Sequence, residues 1–157
     1  MRAAAVVVAV ADPGGEEARA CIDSYLREID ARFDTGFDPR RGPSADPGDF
    51  VPPIGVFLLA RVDDAPIGCG ALKVIGEGVG EIKRMWVSPA TRGLGIAQRL
   101  LSALERHAID MGLHTLRLDT NRSLTEARAL YARNGYGEIA PYNDNPYADH
   151  WFEKRVG

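Results

Sequence analysis

The sequence predicts an α/β protein: a mixed, mostly antiparallel sheet with one central parallel crossover and helices on its faces. Three observations carry that expectation. Strand-like runs at Val56–Arg61, Ile67–Val74 and Val79–Val87 follow one another with connections short enough to be hairpins, which makes an antiparallel meander. The apolar period then changes from two to three and four over Ile96, Leu100, Leu104, Ala108 and Met111, the mark of an amphipathic helix. A strand-like run at Thr115–Thr120 follows that helix, so a βαβ crossover sets it parallel to Val79–Val87.

Taken in order, Val6 to Val10 is a β-branched run ended by Asp-Pro-Gly-Gly, a strand and its turn. From Glu16 to about Phe33, the residues Ala18, Cys21, Ile22, Tyr25, Ile29 and Phe33 recur at helical steps while charged residues take the other face. Asp34 to Gly55 is rich in Gly, Pro and Asp without a sustained period and reads as a long loop. After the meander, Gly112 stops the amphipathic helix. Leu116 and Leu118 share one face of the Thr115–Thr120 strand. A last helix runs from about Leu124 to Asn134 until Gly135, and strands follow at Tyr136–Ile139 and near His150–Lys154.

A chain of 157 residues fits one domain, expected to span residues 1–157. Its 45% hydrophobic and 26% charged residues are those of a soluble globular protein, and a net charge of -3 argues against a nucleic-acid partner. Cys21 and Cys69 make neither a disulfide framework nor a metal site, so a cytoplasmic location and no metal are expected. The apolar run near Met1 is short and leads into a charged helix pattern, so it reads as a strand and no membrane partner is expected.

The stretch Lys83 to Leu101, KRMWVSPATRGLGIAQRLL, passes from strand through Arg-Gly-Leu-Gly directly into a helix. Gly93 and Gly95 remove side chains where the helix exposes unpaired N–H groups and the positive end of its dipole, which suits an anion such as a pyrophosphate. The third glycine of a dinucleotide fingerprint is missing, and so is a GxxxxGK[ST] loop, which speaks against NAD and ATP.

The run EIKRMWV, SPATRGLGIAQRLL, LRLDTN and EARALYARNGYGEI resembles the GNAT family of acetyl-coenzyme A-dependent N-acetyltransferases over roughly Val56 to Lys154. Its Arg/Gln-x-x-Gly-x-Gly/Ala signature is met by Arg92, Gly95 and Ala97. The later Leu-Tyr-x-x-x-Gly-aromatic signature is met by Leu130, Tyr131, Gly135 and Tyr136. The resemblance implies the GNAT fold and acetyl-CoA as cosubstrate. It also implies that Arg92, Gly93, Leu94, Gly95, Ile96 and Ala97 hold the pyrophosphate while the pantetheine arm lies along Met85 to Val87. Asn121 resembles the asparagine that often bonds that arm, and a helix cap is its competing role.

Amide formation from an amine and a thioester needs a neutral nucleophile, a stabilised oxyanion and help for the leaving thiolate. Deprotonating a lysine-like amine at pH 7 costs about 4.6 kcal/mol, an α-amino group only about 1 kcal/mol, so a base matters most for the first. Glu81 resembles the family's strand glutamate that draws the amine proton, and strand alternation would set Lys83 and Met85 on its face. His114 and His150 are further candidate bases, each with a structural role as the alternative. Tyr131 matches the tyrosine that donates to the cofactor sulfur, and Val87 the residue whose N–H faces the thioester carbonyl. Full transfer from a phenol to a thiolate is uphill by about 2 kcal/mol, so hydrogen-bond donation describes Tyr131 better.

In this family the acceptor is usually bound by the first helix with its following loop and by the connection between the last two strands, here Asp34–Gly55 and Ala140–Trp151. Their acids and aromatics suggest a cationic small-molecule amine, attacking directly in a ternary complex. Many relatives carry a second helix where this chain has its Pro/Gly-rich segment. The alternatives are a non-catalytic acyl-CoA sensor or interaction module and a protein N-acetyltransferase, and a homodimer through edge strands is compatible with the fold.

Overall fold

A computed structural model describes residues 6–41 and 46–157. Its elements are β1 (Val6–Val10), α1 (Glu16–Arg32), β2 (Gly55–Val62), β3 (Ala65–Gly76), β4 (Val79–Val87), α2 (Ile96–Asp110), β5 (Thr115–Thr120), α3 (Thr125–Arg133), β6 (Gly137–Ile139) and β7 (His150–Arg155). The strands form one seven-stranded sheet in the order β1-β2-β3-β4-β5-β7-β6. Only β4 and β5 pair in parallel; the other neighbours are antiparallel. The expected mixed sheet, meander and crossover are all present.

Local chemistry explains the connections. Asp63 and Asp64 both take positive φ, 49° and 67°, the geometry of a two-residue hairpin turn whose twist matches that of the strands. Gly112 and Gly135, with φ of 82° and 87°, end α2 and α3 in the left-handed conformation that glycine adopts without strain. The long loop holds a short 3-10 helix, Pro47–Phe50, closed by a reciprocal Asp46–Asp49 capping box. Phe50 from that turn is buried against α1 and the sheet. Residues 42–45 of the loop and 1–5 at the start of the chain lie outside the described residues.

Apolar side chains gather on both faces of the sheet. On one face Ile96, Leu100, Leu104 and Ala108 of α2 meet Leu72, Ile82, Leu116 and Leu118. On the other, Ala18 and Cys21 of α1 meet Phe57, Leu59, Cys69 and Ala71. Each buried large aliphatic side chain contributes about 1.5–3 kcal/mol, so these two layers fix where α1 and α2 stand. Cys21 and Cys69 are free thiols.

Two features of β4 shape the site. Its pairing with β5 covers only Val79 to Glu81, opposite Thr115 to Arg117, and beyond that no partner bridges the two strands. Its pairing with β3 shifts register between Cys69↔Trp86 and Ala71↔Lys83, a bulge in which Arg84 takes a φ of 60°. One extra residue reverses the alternation. Met85 then reaches the α2 side, where a side chain on Gly70 would strike its sulfur at 2.7 Å and Leu104 at 3.1 Å. Met85 therefore does not share a face with Glu81 and Lys83, contrary to the simple alternation read from the sequence.

Candidate active site

A cleft of about 460 Å3 runs from the turn before α2, past the end of β4, to Tyr131 on α3, with Tyr25 and Glu28 of α1 along its wall. At its mouth Gly93 and Gly95 take φ of 89° and 74°, and a side chain built on either would meet nothing within 4 Å. Gly95 is the N-cap of α2, and no side chain caps the helix there. The first-turn N–H groups thus keep their need for an acceptor, beside open space.

Arg92 spans this mouth. Its Nε donates to the Val87 carbonyl at 3.0 Å, and its Nη2 to both Glu28 carboxylate oxygens at 2.6 and 2.8 Å. Trp86 Nε1 and Arg32 Nη1 add donors to Glu28 at 3.1 and 3.2 Å. Burial pushes the Glu28 carboxyl up, but these three donors outweigh it and hold the group below the usual carboxylate range.

At the inner end Tyr131 is 5% exposed and packs against the rings of Tyr136 and Phe152. Burial, helped by the nearby Tyr25 and Asp119, pushes its phenol well above the ordinary value, so it keeps its proton.

A second chamber of about 110 Å3 shares Tyr25, Met85 and Tyr131 with the cleft and is lined further by Lys83, Arg84 and Asp119. Tyr131 therefore stands between the two spaces. Asp119 accepts from Asn143 Nδ2 at 2.7 Å and Asn145 Nδ2 at 3.2 Å. Burial nevertheless raises its carboxyl; the two amides and Lys83 oppose that, while Glu81 adds to it. The Tyr25 phenol is pushed up to about 12, chiefly by burial, with Arg84 opposing and Asp119 reinforcing.

The sequence model of the acetyltransferase (GNAT) family matches residues 23–136. This chain belongs to that family. Among relatives, an IAA acetyltransferase of Azospirillum brasilense is 40% identical over 94 residues, which are 57% of this chain and 61% of that protein. The structure of a GNAT-family acetyltransferase from Staphylococcus aureus superposes with a TM-score of 0.83 over 98% of this chain and 100% of that one, at 18% identity, a likeness of fold. The PaiA N-acetyltransferase of Thermoplasma acidophilum, solved with coenzyme A, gives a TM-score of 0.58 at 25% identity over 65% of this chain and 61% of that one.

Membership places the protein among the acetyltransferases, and its residues can be set against the expectations. Tyr131 and the positions expected to hold the cofactor line the cleft, except Leu94 and Asn121. Leu94 packs toward the core. Asn121 donates to the Tyr147 carbonyl at 2.7 Å and accepts from Ser123 N–H at 3.0 Å, so its side chain ties together the loops beyond β5. It does not cap α3, whose N-cap is Leu124.

In this acetyltransferase Glu81 lines neither space. It is 6% exposed, accepts from the Tyr142 hydroxyl at 2.6 Å and pairs with Lys83 Nζ at 3.2 Å, so both carboxylate oxygens are engaged. His114 Nδ1 lies 2.8 Å from Thr115 Oγ1 and His150 Nδ1 2.8 Å from Glu138; neither lines the cleft or the chamber. The acids that suggested a cationic acceptor are largely taken up by the protein itself. Asp38 pairs with Arg40, Asp49 with Lys73 and Asp34 with Arg122, while Asp149 accepts from the Arg122 backbone. The aromatics of the same segments do meet, with the Phe37 and Tyr147 rings 4.8 Å apart. Sequence reasoning missed Tyr25, read as a helix packing residue, and Asp119, which lies in the Thr115–Thr120 strand and was not singled out. The available signal was Asp119's place on the same alternation face as Arg117, beside Glu81 across the parallel pair. No helix among the described residues is long and apolar enough to cross a membrane, and no group of three potential metal ligands occurs among them.

Proposed function

We propose that this protein transfers the acetyl group of acetyl-CoA to a primary amine of a small molecule, by direct attack while both substrates are bound. The observation that carries the proposal is a pair of adjoining spaces meeting at a protonated tyrosine, the larger opening on uncapped helix amides and the smaller walled by a buried carboxylate. The donor set at the mouth fits a diphosphate: open backbone amides at Gly93–Ala97 and the Arg92 guanidinium, with no side chain filling the glycine positions. Met85 and Val87 would flank the arm. Acetyl-CoA supplies an activated acyl carbon and a thiol leaving group.

The residues divide the proton work between them. Asp119, facing the small chamber, takes the proton the amine loses as its nitrogen forms the new C–N bond. Its raised affinity for protons brings it closer to the amine's own than an ordinary carboxylate would be. Tyr131 donates a hydrogen bond to the sulfur as the C–S bond breaks. Because burial raises its phenol further, donation without full transfer is favoured still more than the unperturbed values suggest. The products are an N-acetyl amide and free thiol, the amine proton reaching the thiolate through these groups and solvent. Glu81 acts as a positioning residue that holds Lys83 and Tyr142 and raises Asp119.

The test is thiol release from acetyl-CoA across a panel of amino acids, polyamines, aminoglycosides and N-terminal peptides, with native mass spectrometry for bound coenzyme A. Release with one class and a retained coenzyme A adduct supports the function. Binding of acetyl-CoA with no release for any amine would instead leave an acyl-CoA sensor.

A further inference from the structure

The small chamber contains a cation that no carboxylate among the described residues neutralises. Arg84 lines that chamber and not the cleft, its Nε is buried with no hydrogen-bond acceptor, and no carboxylate among the described residues pairs with it. The acids nearest the site already have partners: Glu81 has Lys83 and Tyr142, Asp119 has Asn143 and Asn145, and Glu28 has Arg92. A buried guanidinium donor without a partner carries a desolvation penalty that an arriving anion removes, and a carboxylate matches its fork geometry.

The backbone points the same way. Arg84 holds a φ of 60° in the middle of β4, a conformation glycine would adopt freely and that costs a bulky residue of this kind strain. The bulge aims a charged side chain at the space beside Tyr25, whose phenol feels the Arg84 charge directly.

We propose that the acceptor is a primary amine that also bears a carboxylate, with the carboxylate held by Arg84 and the amine presented to Asp119. This deepens the acetyltransferase function proposed above and rests on it. The chamber's inner wall is complementary to such a molecule, carrying a free cation and a carboxylate, and its size suits a head group: about 110 Å3 is the share of roughly four waters. The remainder of the acceptor would leave past Phe37 and Asn145.

The test compares amino acids with their C-terminal amides and their decarboxylated amines, measuring kcat/KM by thiol release for the wild type, Arg84→Gln and Arg84→Lys. The wild type is expected to prefer each free acid by at least about tenfold, the lower end for a charge-assisted bond. Arg84→Gln should abolish the preference mainly through KM, and Arg84→Lys should restore part of it. Amides or decarboxylated amines used as well as the free acids, or a preference that survives Arg84→Gln in a folded variant, overturn the inference while N-acetyl transfer itself stands. No release with any amine removes both. If Arg84→Gln does not fold, as judged by thermal melting, the wild-type ranking of acid, amide and amine decides alone.

Discussion

The Tyr142 hydroxyl lies 2.6 Å from Glu81 Oε2 while Lys83 Nζ stands 3.2 Å from Oε1, so one buried carboxylate joins the β6–β7 connection to the parallel strand pair. The Tyr142 phenol is pushed well above its ordinary value by burial and by this carboxylate, and it remains a donor. Replacing Glu81 with Gln leaves the Lys83 ammonium, 14% exposed, without its counter-ion. Chemical denaturation should show a loss of about 3 kcal/mol, at the lower end for breaking a buried pair. The pH–rate profile should keep an acidic limb, moved to lower pH because Glu81 no longer raises Asp119; an unmoved limb with a rate lowered at every pH would return the base role to Glu81.

Asp119→Asn should lower kcat by about 10²- to 10⁴-fold, the usual contribution of general base catalysis. The direction with pH follows from the carboxyl's raised affinity for protons. The wild-type enzyme should be inactive where Asp119 is protonated and should gain rate as pH climbs through a value above that of an ordinary aspartate. A steady-state profile with an acceptor of known pKa should show that limb in the wild type and not in the variant. A limb common to both would assign it to the acceptor.

Tyr131→Phe keeps the ring contacts with Tyr136 and Phe152 and removes only the hydroxyl. A drop in kcat of about 10²-fold or more, with KM for acetyl-CoA changed little, is the signature of a donor engaged mainly in the transition state. Parallel changes in both constants, or none, would make the tyrosine a packing residue.

Acid should weaken the anchorage of Arg92. The Glu28 carboxyl is held below its ordinary range in the folded chain, so its stabilising contribution is complete above the unfolded value near 4.3 and is lost as pH falls through the lower, folded value. Charge-assisted bonds of this kind are worth about 2 kcal/mol in total for such a site. Denaturation midpoints of the wild type should fall across that window, and those of Glu28→Gln should start lower at neutral pH and fall less. Parallel curves would mean that Glu28 contributes nothing to the acid response.

The architecture was legible because its signals are local. Val79–Val87 and Thr115–Thr120 agree with the observed strands, and Ile96, Leu100, Leu104 and Ala108 are the buried stripe of α2 as their spacing implied. The mouth of the cleft was legible for a related reason: the glycine turn must immediately precede its helix, so chain neighbours are also neighbours there. The chamber was not. Tyr25, Arg84, Asp119 and Asn145 come from four separate segments, and only tertiary packing assembles them. The bulge gave no warning either, since EIKRMWV contains neither Gly nor Pro and reads as unbroken alternation. In the long loop the Asp46–Asp49 box was present in the letters, but a single 3-10 turn makes no period to detect.

The extra residue at Arg84 makes β4 a strand of two halves facing opposite ways, Glu81 and Lys83 toward one side and Met85 and Val87 toward the other. On the proposed arrangement, changes upstream of the kink would retune which amine is chosen without disturbing the wall formed by Met85 and Val87. Regular pairing of the same residues without the bulge would instead rotate the downstream half and exchange the two surfaces. The division of labour in this enzyme is thus encoded as a count of amino acids along one strand.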